Sequence, residues 1–435
     1  MLRGMRPSLW EDLNWRGLVH QTTSPDVAEK LDTDFLTVYI GFDPTADSLH
    51  IGSLLQLATM RRLQRAGHRV LGLVGGGTGL VGDPSGRDTE RVLLDDGTLE
   101  QNSAAIRAQI ERFLDAPATS TNIGTGSLTL VDNAHWLREL RVTDFLRDIG
   151  KHFSVNEMIR KESVRVRLEG RDQGISYTEF SYMLLQAYDY LHLFDTEGCT
   201  LQVGGSDQWG NIIEGVDLIR RLRGGVAYGL TSPLVTSPSG AKFGKSAAGE
   251  QIWLDAQRTS PYAFFQYWRN VDDRDAGLFL RLFTFFSHDE IEELDQATAQ
   301  HPERRDAQQA LAEHLTTLVH GSDATAGAIR AAEVLFTEDI ASLDEHLLLE
   351  VLADAPSITQ PRAEFDAGFE VVAALADAGL VKSKSEGRRA LEQGGVYVNN
   401  RKITADTAVG AESLIHGRFL VLRKGKRDHA LLRVE

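Results

Sequence analysis

The chain of 435 residues has very little cysteine, and this scarcity excludes several kinds of site. Its one cysteine, Cys199, excludes an intrachain disulfide framework and any metal cluster held by several thiolates. No apolar run approaches the length of a membrane span, and residues 1–13 contain no apolar core of signal-peptide length. We therefore expect a protein of the reducing cytoplasm that does not enter a membrane.

Basic residues are also in the minority, because the chain has 46 Lys and Arg against 62 Asp and Glu, which gives a net charge of −16. The basic residues are distributed unevenly along the chain. Residues 382–435 contain 12 basic and 6 acidic residues, a net charge of +6, which leaves −22 on the rest of the chain. A basic end on an acidic body is typical of an RNA-contacting appendage, although an ordinary solvated surface explains the same charges.

The pattern of apolar residues divides the chain into segments, as its length predicts. Residues 1–235 alternate β-rich runs with helical patterns, which predicts a Rossmann-like α/β domain with a parallel sheet. A mobile loop (236–250) precedes an α-helical domain (251–355), a linker (356–368) and a small α/β domain (369–435). The predicted strands are Phe35–Gly41, Arg69–Val74, Leu128–Val131, Leu201–Val203, Val396–Val398 and Phe419–Leu422, and the predicted C-terminal helices are Phe369–Ala378 and Ser385–Gln393.

The segment Tyr39–Ser53 organises the first domain. An alternating run stops at Asp43-Pro44, because proline has no N–H for a sheet, and Ser48 is placed to cap the helix that follows. A strand, a tight turn and a helix N-terminus present N–H groups to an anion. An ordinary capped helix fits the same pattern. The candidate ligand contacts here are Thr45, His50 and Gly52.

Two glycine-rich segments imitate nucleotide-binding motifs. Gly77–Gly82 matches the G-x-G-x-x-G fingerprint, but turn-forming residues follow where a helix should begin, which disfavours a dinucleotide site. Ser239–Ser246 falls one residue short of a P-loop, since a serine replaces the first glycine and no strand precedes it. Lys242 and Lys245 on this loop remain candidates for clamping a polyphosphate.

A helix predicted over residues 177–193 carries Tyr182, Gln186 and Asp189 in one narrow stripe, because they are spaced i, i+4, i+7. A plain amphipathic helix with its polar side in water fits this pattern. The apolar residues that flank the stripe instead favour a partly apolar pocket, where an acid and an amide hold an ammonium group or a phenolic hydroxyl. The turn Gly204–Gly210 follows a strand, at the edge where open α/β sheets bind ligands.

A His-x-Gly at a helix start and a Lys-x-x-Lys-Ser loop about two hundred residues later form the paired signature of class I aminoacyl-tRNA synthetases. Four longer segments occur in order: YIGFDPTADSLHIGS (39–53), LVGGGTGLVGDPSGR (73–87), YTEFSYMLLQAYDY (177–190) and GGSDQWGN (204–211). From about Trp10 onward the chain resembles the bacterial tyrosyl-tRNA synthetases. Residues 382–399 resemble an S4-type RNA-binding module.

The resemblance implies roles for the residues that match its motifs. The implied catalytic residues are Thr45, His50, Lys242 and Lys245. The implied tyrosine-binding residues are Tyr39 and Asp189 at the phenolic hydroxyl, Asp83, Tyr182 and Gln186 at the ammonium, and Gln208 near the carboxylate. The implied ATP-binding residues are Asp43, Gly52, Gly205, Asp207 (near the ribose), Lys245 and Ser246. The implied RNA-binding residues are Lys382, Lys384, Arg388, Arg389, Arg401 and Lys402.

The same resemblance implies an activity and its partners. Tyrosine would react with ATP, with Mg²⁺ on the phosphates and no tightly bound protein-ligated metal, and the tyrosyl group would pass to tRNA. A homodimer is also implied. Three rival functions remain: a tryptophanyl-type synthetase, disfavoured by Asp189 and the S4 pattern; an RNA-binding or RNA-modifying S4 protein, which leaves Tyr39–Ser53 unexplained; and a nicotinamide-dependent dehydrogenase, which rests on Gly77–Gly82 alone.

Overall fold

A computed structural model describes residues 8–85, 94–115, 126–161, 164–165, 168, 175–236, 238–239, 243–245, 249–334, 338–353, 355–425 and 428–435. The chain divides into two compact units. The first unit comprises Met1–Thr259 and Tyr267–Val319, and the second comprises Ser260–Gln266 and His320–Glu435. The five functional segments expected from the sequence stay a prediction. None of the described helices is long and apolar enough to cross a membrane.

The sheet of the first unit has the strand order β1-β6-β5-β2-β3-β4. Its strands are β1 (Gln21–Thr22), β2 (Thr37–Phe42), β3 (Arg69–Val74), β4 (Leu128–Asp132), β5 (Leu201–Gly205) and β6 (Tyr228–Ser232). All neighbours pair in parallel except β1, which is antiparallel to β6. The order reverses direction between β2 and β5, and a doubly wound sheet opens its ligand crevice at such a point.

Helices pack around this sheet and make up much of the rest of the chain. In chain order, the described helices are α1 (Leu9–Trp15), α2 (Asp26–Thr33), α3 (Ile51–Arg65), α4 (Asp96–Asp115), α5 (Ala134–Leu137), α6 (Val142–Asp144), α7 (Val155–Met158), α8 (Tyr177–Glu197), α9 (Trp209–Arg223), α10 (Pro261–Arg269), α11 (Asp273–Phe283), α12 (His288–Gln300), α13 (Asp306–His320), α14 (Ser322–Val334), α15 (Glu345–Val351), α16 (Arg362–Ala367), α17 (Val371–Asp377) and α18 (Lys384–Glu392). Buried Leu71, Tyr190, Leu218 and Ile219 pack in one core cluster, where β3 meets α8 and α9.

The predicted parallel sheet is confirmed, and β3 has the predicted bounds. Strands β1 and β6 were not predicted. The first has only two residues, and Tyr228–Ser232 contains a glycine, a threonine and a serine, which makes it resemble a loop in the sequence. Its last four residues are buried, so packing against the core decides its structure.

The predicted cap of helix α3 is wrong by two residues. His50, not Ser48, is the N-cap, and its Nδ1 accepts a hydrogen bond from the N–H of Gly52 at 2.9 Å. The Ser48 hydroxyl is engaged elsewhere, since it donates to the carbonyl of Leu49 and accepts from the Nε2 of Gln109 and the N–H of Asp255. The imidazole thereby lies at the helix start, at the positive end of the helix dipole.

The second unit contains a five-stranded sheet with the order β7-β11-β10-β8-β9. Its strands are β7 (Ser357–Gln360), β8 (Val396–Val398), β9 (Arg401–Lys402), β10 (Phe419–Lys424) and β11 (Asp428–Val434). Residues 356–368, predicted as a linker, contain regular structure, because β7 pairs in parallel with β11 and α16 follows it. The proline residues that flank β7 suggested a linker, but Ile358 packs against the core of this sheet.

Helix α3 is anchored at its C-terminal end by Arg62, whose side chain is buried. Its guanidinium donates to the carbonyl oxygens of Leu282 at 3.1 Å and Thr284 at 2.6 Å, where helix α11 ends. The last carbonyls of a helix have no partner within the helix, so this arginine satisfies groups that burial would otherwise leave unpaired. The helix that begins at His50 is therefore fixed at both ends.

We predict that Arg62→Met lowers the free energy of unfolding by about 1–3 kcal/mol, because buried carbonyls lose a charged donor. Arg65→Met is the matched control, since Arg65 lies one turn away and stacks over the ring of Phe285 at 4.1 Å. Thermal unfolding of both variants measures the difference. If both variants lose the same amount of unfolding free energy, the hydrogen bonds from Arg62 to these carbonyls do not contribute specifically to stability.

Candidate active site

A cavity of about 750 Å³ opens where the sheet reverses its strand order. Residues 39–43 line it from the end of β2, and residues 202–205 line it from the end of β5. Both stretches lie at the carboxyl ends of parallel strands, which is the edge at which open α/β sheets bind ligands. Helices α3 and α8 supply further lining residues, including His50 and Asp189.

The structure brings most of the predicted site residues together around this cavity. Those that line it are Tyr39, Asp43, Thr45, His50, Gly52, Asp83, Tyr182, Gln186, Asp189, Gly205, Asp207 and Gln208. Lys245 is not among the lining residues, and Lys242 and Ser246 lie outside the described residues. The stripe on α8 faces this cavity and not water, since Tyr182 is 5% and Asp189 2% exposed.

Asp189 is a buried carboxyl group that lines the cavity. Its Oδ1 accepts a hydrogen bond from the indole N–H of Trp136 at 2.7 Å, and its Oδ2 accepts one from Nδ2 of Asn133 at 2.9 Å. Burial raises the pKa of Asp189 to about 7, although these two hydrogen bonds oppose the shift. A carboxyl group poised near neutrality is typical of a functional site.

The hydroxyl of Tyr39 has no hydrogen-bond partner among the described residues, although the side chain is only 2% exposed. Burial raises the pKa of Tyr39 well above its ordinary value, and the nearby charge of Asp189 adds to the effect. Tyr39 lies beside Gln202 in the β2–β5 pairing, and Gln202 also lines the cavity. An unpaired buried hydroxyl is costly, so a ligand group that pairs with it gains affinity.

Asn133 holds Asp189 in place and was missed by the sequence reasoning. Its Oδ1 accepts the N–H of Gly77 at 2.7 Å, and its Nδ2 donates to the hydroxyl of Thr78 at 2.9 Å as well as to Asp189. Together these contacts fix the orientation of the amide. The sequence did offer one indication of Asn133, because it directly follows strand β4 at the carboxyl edge of the sheet. The glycine-rich segment that imitated a dinucleotide fingerprint thus serves to position this asparagine.

Carboxylates and amides form a polar part of the cavity lining. Asp83 accepts hydrogen bonds from Nε2 of Gln208 at 2.6 Å and from the N–H of Ser85 at 2.9 Å. The hydroxyl of Tyr182 lies 3.4 Å from an oxygen of Asp43. Burial raises the pKa of Asp207, another polar residue that lines the cavity. Several acidic groups around one space suit a ligand with a positive charge.

His50 marks a third part of the lining, suited to an anion. Because its Nδ1 accepts the N–H of Gly52, the neutral imidazole carries its proton on Nε2 and presents a donor. Gly52 is needed for this geometry, since a Cβ there would lie 2.6 Å and 2.8 Å from ring atoms of His50. We expected this glycine to admit a ligand; the structure adds that it makes room for the imidazole.

The predicted mobile loop is tied to the start of helix α3 by backbone hydrogen bonds. The N–H of Ile252 donates to the carbonyl of Gly244, and the carbonyl of Ile252 accepts the N–H of Ile51. Phe243 packs among the rings of Trp268, Phe279 and Phe283. The residues next to Lys245 are therefore anchored to the turn that carries His50.

We predict that Asp189→Asn changes how stability depends on pH. The folded pKa of about 7 lies above the ordinary value of 3.8, so this carboxyl stabilises the fold fully below about pH 4, and that contribution is lost as the pH rises through 7. The amide does not titrate, so the variant gains stability relative to the parent protein between about pH 5 and pH 8. Thermal unfolding across that range measures the effect, and a constant difference would contradict it.

Comparison with known families agrees with this geometry. Residues 31–337 match the family described as tRNA synthetases class I (W and Y). Residues 348–432 match the tyrosine–tRNA ligase SYY-like C-terminal domain. The first match covers the sheet, the cavity and the helices that follow, and the second covers most of the second unit. The description of the second match names tyrosine alone.

Individual relatives match almost the whole chain. A tyrosine–tRNA ligase of Roseiflexus castenholzii is 50% identical over 98% of this chain and 99% of its own length. One of Geobacillus stearothermophilus is 49% identical over the same shares. Among solved structures, a C-terminally truncated mitochondrial tyrosyl-tRNA synthetase of Aspergillus nidulans is 31% identical, with a TM-score of 0.67 over 77% of this chain and 95% of that one.

These matches decide between the alternatives that the sequence left open. The alternatives of a tryptophanyl-type synthetase, a dehydrogenase and an RNA-binding or RNA-modifying protein are wrong. Relatives that are about 50% identical over nearly the full length of the chain are tyrosine–tRNA ligases. The chain belongs to the class I aminoacyl-tRNA synthetases, in the family of bacterial tyrosine–tRNA ligases.

Proposed function

We propose that the cavity at the β2–β5 crevice is the place where this ligase joins tyrosine to ATP. The observation that carries the proposal is that the buried Asp189 carboxyl group and the unpaired hydroxyl of Tyr39 belong to residues that line the same cavity. The phenolic hydroxyl of tyrosine donates to one of these groups and accepts from the other. Phenylalanine would leave both without a partner, and sites built to bind a hydroxyl reject analogues that lack it.

The polar part of the cavity lining suits the amino-acid part of the substrate. Asp83, Tyr182 and Gln186 supply acceptors for the ammonium group, and Gln208 lies next to them for the carboxylate. With the phenol and the ammonium held at opposite ends, the carboxylate has one defined direction. Such positioning provides much of the rate of a reaction between two bound substrates.

ATP would occupy the part of the cavity near the start of helix α3. The tyrosine carboxylate attacks the α-phosphorus and pyrophosphate leaves, so a bond from carboxylate oxygen to phosphorus forms as the bond to the bridging oxygen breaks. A carboxylate is already nucleophilic, so no general base is needed. We assign to Thr45 and the Nε2–H of His50 the role of holding the phosphate oxygens as their charge rises, and their positions in the cavity lining support this role. By the family resemblance, we further assign phosphate contacts to Lys242, Lys245 and Ser246, and nucleoside contacts to Asp43, Gly52, Gly205 and Asp207.

Mg²⁺ belongs to this proposal as an ion carried by ATP. It prefers phosphate oxygens and water with few protein carboxylates, and it offsets negative charge on the phosphates. Among the described residues no group of three or more His, Cys, Asp or Glu side chains could hold a metal. Thr45 and His50, which line this part of the cavity, are suited to donate hydrogen bonds to the phosphate oxygens.

The second unit would hold tRNA through its basic residues, which lie at the start of α18 and on β9. All of them are exposed: Lys382, Lys384, Arg388, Arg389, Arg401 and Lys402. Lys384, Arg388 and Arg389 form no ion pair with the described residues, so their charges remain available for phosphates. RNA binding that depends on such contacts falls as the salt concentration rises.

We also propose that the active form is a homodimer in the cytoplasm. Large apolar side chains stand exposed in the stretch between residues 142 and 177, where a folded monomer would normally place polar ones. These are Val142, Leu146, Val155, Ile159, Leu168 and Tyr177, each at least 42% exposed. A second copy of the same chain would bury this stretch symmetrically.

We predict that Tyr39→Phe lowers the preference for tyrosine over phenylalanine about tenfold, because one hydrogen bond to the substrate hydroxyl is lost. The variant should unfold no more easily than the parent protein, since the deleted hydroxyl has no partner among the described residues. Amino-acid-dependent ATP–pyrophosphate exchange with both substrates measures the preference.

Tyr190→Phe is the matched control. Its ring lies 5.4 Å from that of Tyr39, and its hydroxyl donates to the carbonyl of Tyr228 at 2.7 Å. This variant should lose about 1 kcal/mol of stability and keep its selectivity. Unchanged selectivity in Tyr39→Phe would remove Tyr39 from the substrate pocket.

We predict that replacing Lys384, Arg388 and Arg389 together by glutamine weakens tRNA binding and leaves ATP–pyrophosphate exchange intact. The plot of log affinity against log salt concentration should become shallower by about 2 to 3, roughly one for each lost phosphate contact. Titrating tRNA at several salt concentrations measures this slope. If the plot for the variant keeps the slope of the parent protein, these three residues do not contact phosphate.

A further inference from the structure

Asn211 lies behind the polar wall of the cavity and belongs to none of the proposed substrate contacts. It is the third residue of helix α9, it is 4% exposed, and it is not among the lining residues. Its side chain therefore acts on a ligand only through neighbours that do line the cavity. Three of those neighbours accept hydrogen bonds from it.

The Nδ2 group of Asn211 donates towards three oxygens. It lies 2.9 Å from Oε1 of Gln186, 3.3 Å from Oε1 of Gln208 and 3.4 Å from the hydroxyl of Ser85. An amide nitrogen only donates, so both glutamines turn their carbonyl oxygens towards it. One buried amide thus sets the orientation of two side chains that come from different places, helix α8 and the turn before α9.

For Gln208 this orientation has a direct consequence at Asp83. With its oxygen facing Asn211, its Nε2 donates to Oδ2 of Asp83 at 2.6 Å. The hydrogen bonds run in one direction, from Asn211 through Gln208 to the carboxylate, and such chains strengthen their members. If Gln208 were flipped, its carbonyl oxygen would face a carboxylate, which is repulsive.

For Gln186 the contact with Asn211 uses one lone pair of Oε1. A carbonyl oxygen has two, so the second remains for an ammonium N–H in the cavity. Without Asn211 the amide is free to present its nitrogen instead, and that nitrogen repels an ammonium group. The contact therefore decides whether Gln186 accepts or donates.

We propose that Asn211 is a positioning residue that sets the donor and acceptor pattern at the ammonium and carboxylate end of the tyrosine site. This inference rests on the proposed function of the cavity. It extends that proposal, because it makes recognition of the amino-acid backbone depend on a side chain that never touches the substrate.

The test compares three ligands in the full-length protein. Tyramine carries the ammonium without the carboxylate, 3-(4-hydroxyphenyl)propionate carries the carboxylate without the ammonium, and p-cresol carries only the phenol. Asn211→Leu keeps the size of the side chain and removes its donors. We expect this variant to weaken the binding of tyramine and 3-(4-hydroxyphenyl)propionate about tenfold. We expect its affinity for p-cresol to change by less than about twofold, and calorimetry measures all three affinities.

Two further variants separate positioning from structural damage. Asn102→Leu removes another buried asparagine, whose Nδ2 donates to the carbonyl of Pro44 at 3.1 Å, and should leave the ratio of tyramine to p-cresol affinity unchanged. In a protein that already carries Gln186→Ala and Gln208→Ala, Asn211→Leu should have little further effect on the ratio, since both glutamine partners are gone and only the 3.4 Å contact with the Ser85 hydroxyl remains. If Asn211→Leu does not fold, Asn211→Ser is tested instead, because it keeps one donor. It should weaken binding of tyramine and 3-(4-hydroxyphenyl)propionate by less than tenfold and leave binding of p-cresol nearly unchanged.

Two results would overturn the proposal: equal weakening of all three ligands, which indicates a merely structural role, or unchanged binding of tyramine and 3-(4-hydroxyphenyl)propionate. A parent protein that binds tyrosine but not p-cresol or tyramine would contradict the proposed cavity itself. The failure of the inference and the failure of the proposed function are therefore distinguishable.

Discussion

The site depends on a buried carboxyl group that the protein holds in place but does not fully satisfy. Asp189 receives one hydrogen bond on each oxygen, from Trp136 and Asn133, and burial still raises its pKa to about 7. Beside it, the hydroxyl of Tyr39 has no partner among the described residues. Leaving both groups without a full set of hydrogen bonds costs free energy, and in the proposed function the phenolic hydroxyl of tyrosine removes this cost when it binds. In that proposal, selectivity for tyrosine follows from the cost of leaving these groups unpaired as much as from the contacts that tyrosine makes.

The rest of the first unit serves to bring opposite chemistries to this carboxyl group. The reversal of strand order between β2 and β5 opens a crevice, and the two strands deliver Tyr39 and the Gly204–Gln208 turn to its walls. The N-cap of helix α3 is His50, which lines the cavity, and Arg62 holds the other end of the helix. Acidic side chains and the imidazole of His50 therefore line one cavity, and in the proposed function this arrangement positions two charged substrates for attack.

Local patterns were enough to predict much of this arrangement. The bounds of β3 and the stripe of Tyr182, Gln186 and Asp189 follow from residue periodicity alone. Long-range contacts were not predictable. Ser48 loses the cap of α3 because Gln109 and Asp255 engage its hydroxyl, and β7 becomes a strand because β11 lies beside it. Asn133 contacts Asp189, which lies 56 positions away in the sequence, so its position after β4 could mark it as a candidate but could not reveal its partner. The predicted role of Lys245 has no support from the cavity lining and stays a prediction.

The most direct measurement is a crystal structure of the full-length protein with bound L-tyrosine. If the phenol binds as proposed, its oxygen lies within about 2.5–3.2 Å of both the Tyr39 hydroxyl and a carboxylate oxygen of Asp189. The ammonium group then points towards Asp83. A bound tyrosine whose ring lies elsewhere, with the Tyr39 hydroxyl still unpaired, would contradict the central claim.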